Sequence, residues 1–387
     1  MSDMHISAAI RYIGVNDTDI DLFESQYVVP HGVSYNSYLI LDEKVAVMDT
    51  VDLRKTDEWL QNLERELAGR QPDYLVVQHL EPDHAGSISV LAGRYPQMTL
   101  VASAKALQML PSYFPGCTNP TRAVKEGDML ELGEHRLTFV MAPMVHWPEV
   151  MVSYEAAEKV LFSADGFGKF GAIGTEEDWL CEARRYYFNI VGKYGAQVQS
   201  LLKKAAGLDI QTIAPLHGPV LKENLGYYIG KYDLWSRYEP EDEGVLIAYA
   251  SIHGNTAQAA ACMKELLEQK GCPKVAMADL CRDDQAEAVE DAFRYGNLVA
   301  MASTYDGGVF PPMEHFLAHL RDKTWRKRTV ALVENGSWAP AACKVMRGYL
   351  EGMKEITICP ATHTIQGAVK ESDKKALEQI ADALLAK

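Results

Sequence analysis

From residue 245 onward the sequence alternates. Five apolar runs, VLIAYA (245–250), KVAMADL (274–280), NLVAMAST (297–304), RTVALVEN (328–335) and EITICP (355–360), are each followed by a stretch of helical periodicity. Strands joined through helices run parallel, so this series predicts a doubly wound, five-stranded parallel sheet in an α/β protein, with ligand positions at the strand ends. A chain of 387 residues exceeds what one core usually serves. The acidic stretch WSRYEPEDEG (235–244), punctuated by Pro240 and Gly244, marks the expected boundary and gives domains 1–243 and 244–387.

The first domain mixes element types. SYLILDEKVAVMD (37–49) predicts a hairpin, KTDEWLQNLEREL (55–67) an amphipathic helix and YLVVQH (74–79) a buried strand, with further strands at RLTFVMAP, VMVSYE and KVLFSAD. The segment VVQHLEPDHAGS (76–87) then sets His79, Glu81, Asp83 and His84 within six positions. Alternate residues of an extended segment project to one side, which would place His79, Glu81 and Asp83 on one face, with Pro82 stiffening the turn that returns His84. His146 in MVHWPE, Asp165 in LFSADGFG and His217 in APLHGP each lie just beyond an apolar strand, where they can converge on the same sheet edge. Four imidazoles and three carboxylates suit two metal ions, and the carboxylate share favours iron or manganese over zinc. Trp147, beside a candidate ligand, lines either a pocket or an electron path, or is a core residue. His31 and Tyr194 are candidates for hydrogen bonding around the metals, and a turn role suits His31 equally. The remaining histidines have no metal role.

In the second domain YASIHGNTAQ (249–258) runs from strand to helix. Ser251, Gly254, Asn255 and Thr256 offer hydroxyls and free helix N–H groups to a phosphate, while His253 donates to it or points outward. The lysine of a triphosphate-binding loop is missing. STYDGGVFPP (303–312) and ENGSWAP (334–340) leave the third and fourth strands. There Thr304, Tyr305, Asp306, Gly307 and Gly308, with Asn335, Gly336, Ser337 and Trp338, can enclose a planar ring. Tyr305 and Trp338 would flank it, with the glycines leaving room.

A net charge of −15 disfavours nucleic acid and anionic membranes as partners. The basic run RDKTWRKR (321–328) is a patch for an acidic protein or, more simply, a solvated helix end. Seven cysteines without a CxxC pair suit a reducing compartment, and the N-terminal residues carry no signal or membrane-span pattern, so a cytoplasmic protein is expected.

The spaced H-x-E-x-D-H with strand-end His, Asp and His resembles the binuclear site of the metallo-β-lactamase fold, except that Glu81 stands where its hydrolases usually carry His. The three later loops look like those of a flavodoxin. Together they resemble the flavodiiron proteins (A-type flavoproteins) over nearly the whole chain. That resemblance implies an N-terminal metallo-β-lactamase-like αββα sandwich followed by a flavodoxin-like domain. It assigns His79, Glu81 and His146 to one iron, Asp83, His84 and His217 to the other, and Asp165 to both, with FMN in the later loops. It further implies reduction of dioxygen to water, nitric oxide to nitrous oxide, or both, in a head-to-tail homodimer or a dimer of dimers. With no rubredoxin segment before Lys387, the expected electron donor is a separate protein such as rubredoxin. The alternative is a binuclear zinc hydrolase with an attached flavodoxin domain, which metal analysis would separate.

Overall fold

The hairpin predicted at 37–49 is present in the computed structural model, which describes residues 5–176 and 178–386. Tyr38–Leu41 pairs antiparallel with Val45–Met48. They sit in a six-stranded sheet ordered Ile10–Tyr12, Tyr38–Leu41, Val45–Met48, Tyr74–Val77, Thr99–Ser103 and Thr121–Val124, whose last four strands run parallel. A five-stranded sheet follows, ordered Met129–Glu131, Arg136–Met141, Met151–Glu155, Val160–Phe162 and Thr212–Ala214. Side chains alternate along each strand, so Tyr38 and Ile40 of the first sheet meet Leu137 and Phe139 of the second in one buried core. Each such aliphatic or aromatic side chain contributes about 1.5–3 kcal/mol by leaving water. Helix Thr56–Leu67 buries Trp59, Leu60, Leu63 and Leu67 on one face and stops where Ala68 and Gly69 take left-handed φ values of 48° and 89°.

The second unit carries the five predicted parallel strands in the order Val275–Asp279, Asp242–Ala250, Tyr295–Tyr305, Arg328–Asn335 and Ile356–Ile365. First beside second, with the third to fifth following outward, is the flavodoxin-type order. Its core joins Val245, Ile247, Val299, Met301, Ala331 and Val333 to Met263, Leu267, Leu377 and Ile380 from helices Asn255–Gln269 and Glu371–Leu385. The last strand is longer than its apolar run because the pairing shifts between Val330 and Leu332, leaving Pro360 in the irregular stretch between Ile358 and Thr362. A proline that cannot donate to the ladder is tolerated there.

The first unit comprises the chain up to Tyr187 with Ala196–Asp233, and the second comprises Phe188–Gly195 with Leu234 onward. The expected cut at 243/244 lies inside strand Asp242–Ala250. Residues 188–195 join the second unit because Phe188 stacks on Phe293, with centroids 4.2 Å apart and planes 13° apart, and Asn189 Nδ2 donates to Ala286 O at 3.1 Å. The basic run 321–328 begins as the expected solvated helix end, with Arg321 and Asp322 exposed at the close of helix Pro311–Asp322, but two of its later residues are buried. Trp325 is buried with its Nε1 donating to Ala292 O (2.8 Å), and buried Arg328 donates to the carbonyls of Tyr238, Arg326, Lys327 and Phe293.

Candidate metal centre

In the first unit every candidate ligand lies at or beyond the C-terminal end of a strand. His79 follows Tyr74–Val77, His146 lies between Arg136–Met141 and Met151–Glu155, Asp165 follows Val160–Phe162, and His217 follows Thr212–Ala214. Pro82 opens a short helical turn, Pro82–Ala85, at a position where its missing N–H costs nothing. That turn corrects the expected single face for His79, Glu81 and Asp83. The strand has already ended at Val77, and the turn sends Asp83 and His84 to a second group. His79, Glu81, His146 and Asp165 form one cluster, and Asp83, His84 and His217 form the other.

Asp165 lies between them. Its Oδ2 is 3.3 Å from His79 Nε2 and 3.5 Å from His146 Nε2, while Oδ1 is 2.9 Å from His84 Nε2 and 3.7 Å from His217 Nε2. Glu81 Oε2 faces His146 Nε2 at 2.9 Å and His79 Nε2 at 3.3 Å. Asp83 reaches His84 Nε2 through Oδ1 and His217 Nε2 through Oδ2, both at 3.2 Å. His79, Asp165 and His217 are fully buried. Both oxygens of Asp83 and Asp165, both nitrogens of His84 and Nε2 of His217 are buried without a hydrogen-bond partner. Each such atom costs about 1–3 kcal/mol. All of them except His84 Nδ1 converge on the cluster, and that donor set fits two cations.

Neighbouring groups fix the ring orientations. Glu149 Oε1 lies 2.8 Å from His79 Nδ1 and accepts from Leu80 N at 3.0 Å. His217 Nδ1 is 2.7 Å from Ser34 O. A carbonyl only accepts, so Nδ1 of His217 carries the proton and Nε2 presents its lone pair to the cluster. Asn36 Nδ2 donates to Pro215 O and Gly218 O, both at 2.8 Å, and holds the loop that carries His217. A Cβ on Gly168 would stand 3.0 Å from Asp165 O and 3.4 Å from His217 Cβ, so this close approach requires glycine. Asp49 accepts from Gln78 N (2.7 Å) and Gln78 Nε2 (2.9 Å), fixing the residue before His79. Burial pushes the Asp49 carboxyl up to about 6, against those bonds.

The electrostatics of the cluster point the same way. Burial opposes charge on His79, yet Asp165, Glu149 and Glu81 raise it well above its ordinary range. His84, equally buried, is pushed up to about 9 by Asp83 and Asp165. Burial would raise Asp165 and Glu81, but the surrounding histidines hold both below the usual carboxylate range. This field draws positive charge to the Nε2 atoms, whether as protons or as metal ions.

Glu149, Asp49, Asn36 and Ser34 were not singled out from the sequence. Glu149 alone left a signal, a carboxylate three residues after His146. Trp147 is half-buried and meets the His79 ring edge-on at 5.1 Å. His31 is exposed, its carbonyl accepting from Ala172 N, and Tyr194 lies in the segment belonging to the second unit. The rings against His217 are instead Tyr186 (5.4 Å), Phe23 (5.5 Å) and Tyr35 (6.1 Å).

In the second unit the three predicted loops leave neighbouring parallel strands at their C-terminal ends. Helix Asn255–Gln269 starts after Gly254 at φ 93°, with no side chain capping it, so its first N–H groups remain free for a phosphate. Ser251 Oγ accepts from Gly254 N (3.1 Å), Thr256 Oγ1 pairs with Ser303 Oγ (3.0 Å), and His253 is exposed. Tyr305 pairs with Gly308, so Asp306 (φ 46°) and Gly307 (φ 75°) form a tight hairpin turn. Gly307 is thus favoured by its backbone conformation, and a Cβ there would meet no protein atom within 4 Å. Tyr305 and Trp338 are exposed, at 44% and 83%, as open aromatic faces beside Ser337. Thr304 Oγ1 accepts from Ala341 N and Ala342 N, and the Asn335 amide exchanges bonds with the Gly367 backbone. These two side chains build the loops. Gly336 packs against Thr304 and Pro340.

Comparison with known proteins agrees with this geometry. The family model described as ODP family beta lactamase matches residues 33–218, which span all seven candidate ligands. The chain is 28% identical over 348 residues to the anaerobic nitric oxide reductase flavorubredoxin of Vibrio vulnificus (strain YJ016), covering 87% of this chain and 70% of that one. Among solved structures it is similar to the rubredoxin oxygen:oxidoreductase of Desulfovibrio gigas, with a TM-score of 0.92 and 26% identity over 98% of this chain and 96% of that one. The flavodiiron protein of Giardia intestinalis shares the fold at a TM-score of 0.92 and 23% identity, over 98% and 95% of the two chains. Over nearly its whole length the chain shares the fold of the flavodiiron proteins.

Proposed function

We propose that this protein is an oxidoreductase that reduces dioxygen to water, nitric oxide to nitrous oxide, or both, using FMN and two irons. The observation that carries the reading is Asp165, whose two oxygens each face a different pair of histidine nitrogens inside a buried pocket. His79, Glu81 and His146 would hold one iron, Asp83, His84 and His217 the other, and Asp165 both. The loops at Ser251–Thr256, Thr304–Gly308 and Asn335–Trp338 would hold FMN, its phosphate at the free end of helix Asn255–Gln269. When bound, these groups supply the electrons for gas reduction. The side chains do the rest. Glu149 and Ser34 fix ring tautomers, Asp83 and Glu81 balance the cationic charge, and burial of His79, His84 and His217 keeps bulk water from the ligands. Glu81, in the position where zinc hydrolases of the fold carry His, leaves the hydrolase alternative unsupported.

A rubredoxin-type protein is the donor, and a head-to-tail homodimer in the cytoplasm is the working assembly. Among the described residues, no helix is long and apolar enough to cross a membrane. The test is anaerobic stopped-flow of the reduced, iron-loaded protein against each gas. Rapid flavin reoxidation by at least one gas, abolished by iron removal, is expected. Reoxidation that is slow for both gases, or indifferent to iron, overturns the proposal.

A further inference from the structure

The aromatic side chains around the metal cluster differ in one respect: where their protons can go. Tyr186, against His217, is 1% exposed. Losing an electron costs a phenol far less when its proton can leave with it, and burial opposes that departure. Trp147 belongs to a different path. Its indole meets His79 at 5.1 Å and 86°, lies 6.2 Å from His146, and packs on Tyr113 at 5.9 Å and 38°. Tyr113 closes helix Ala104–Tyr113 and is 41% exposed. Two ligand imidazoles, an indole and a phenol thus form an unbroken series of touching rings from the buried cluster to solvent. Indole and phenol are the side chains, besides cysteine, that most readily give up single electrons. Among the described residues, Trp147 makes ring contacts with His79, His146 and Tyr113.

We propose that Trp147 and Tyr113 form an electron-donating escape route that protects the cluster when dioxygen arrives before the flavin has been reduced. This rests on the reading of the site as a dioxygen-reducing metal centre. Dioxygen takes four electrons to become water, and a chain holding two of them on its metals falls short by two. Trp147 gives one electron to the site. The indole radical cation takes one electron from Tyr113, whose phenolic proton passes to water at the surface. A cellular thiol then returns an electron and a proton to the phenoxyl, leaving a thiyl radical, and a second passage supplies the remaining electron. The oxidising equivalent thus leaves along the exposed rings and spares the buried ligands.

The experiment uses iron- and FMN-loaded protein reduced by two electrons per chain, mixed with dioxygen and freeze-quenched for EPR. A tyrosyl signal is expected in the unchanged protein, a tryptophanyl signal in Tyr113→Phe, and loss of both in Trp147→Phe. Tyr186→Phe, the control, should leave the signal unaltered. Repeated cycles should oxidise ligand histidines faster in Trp147→Phe, as read by peptide mass spectrometry. Dioxygen consumed with no organic radical, or a radical identical in all variants, overturns the escape route while leaving the proposed function standing. Dioxygen left unconsumed by the fully reduced protein overturns the escape route, and the proposed function falls with it when nitric oxide is left unconsumed too.

Discussion

Replacing Glu149 tests whether the second layer of the metal site matters as the geometry requires. Its Oε1 is shared by His79 Nδ1 at 2.8 Å and Leu80 N at 3.0 Å, and Glu149 and His79 are both buried. Glu149→Ala removes the carboxylate that accepts from Leu80 N and leaves the His79 ring free to change tautomer or rotate. Loss of such a partner typically weakens metal binding by about 10–100-fold, equivalent to about 1.4–2.7 kcal/mol. Two buried donors without acceptors add about 1–3 kcal/mol each to the folding cost. Glu149→Gln keeps a carbonyl acceptor for both donors but places an amide where Oε2 already lacks a partner, so it should fall between Ala and the unchanged protein. Iron retention against a graded chelator, with thermal unfolding of the same samples, reads both effects. If Glu149→Ala held iron as tightly as the unchanged protein, the contact would be packing alone and the orienting role assigned to it would be wrong.

Asp165→Asn should lower bound iron below two per chain and abolish gas-driven flavin reoxidation, since one charge serves both clusters; elemental analysis and stopped-flow check this together. Glu81→His should shift metal uptake from iron toward zinc, measured by competitive loading, because it restores the ligand type of the hydrolases. Gly254→Ala forces a Cβ into a left-handed conformation at about 1–2 kcal/mol with no clash; FMN affinity by fluorescence titration should fall while iron content stays constant. In metal-free protein His84 has a folded pKa raised from 6.5 to about 9. Its stabilising contribution is therefore complete below pH 6.5 and lost as pH rises through about 9. Chemical denaturation of metal-free protein should show that decline, and iron uptake should release protons over the same window.

The five parallel strands of the second unit and the seven candidate ligands were legible because each depends on short, local patterns: apolar runs with punctuation, and ligand types at strand ends; the division of those ligands into two groups came from the resemblance. What escaped is non-local. Glu149 reaches a histidine 70 residues away, and Asn36 holds backbone 179 and 182 residues along the chain. A single sequence gives no reason to prefer these polar residues over other buried ones. Within the basic run 321–328 the burial of Arg328 was not legible, because composition suggests exposure, whereas its two Nη atoms donate to backbone carbonyls and so can be buried. The face shared by His79, Glu81 and Asp83 failed for a local reason, since Pro82 starts a helical turn after the strand has ended.

Strand Ile356–Ile365 is the outermost of its sheet on one side, so among the described residues its far row of amides and carbonyls has no neighbouring strand. A flat, unbroken margin of that kind would template the addition of a strand from another copy. The irregularity around Pro360 interrupts the row at its middle and removes one donor. Crowded chains that have not yet finished folding are thereby denied a straight seam along which to zip together, and this protection against clumping is built into the sheet itself.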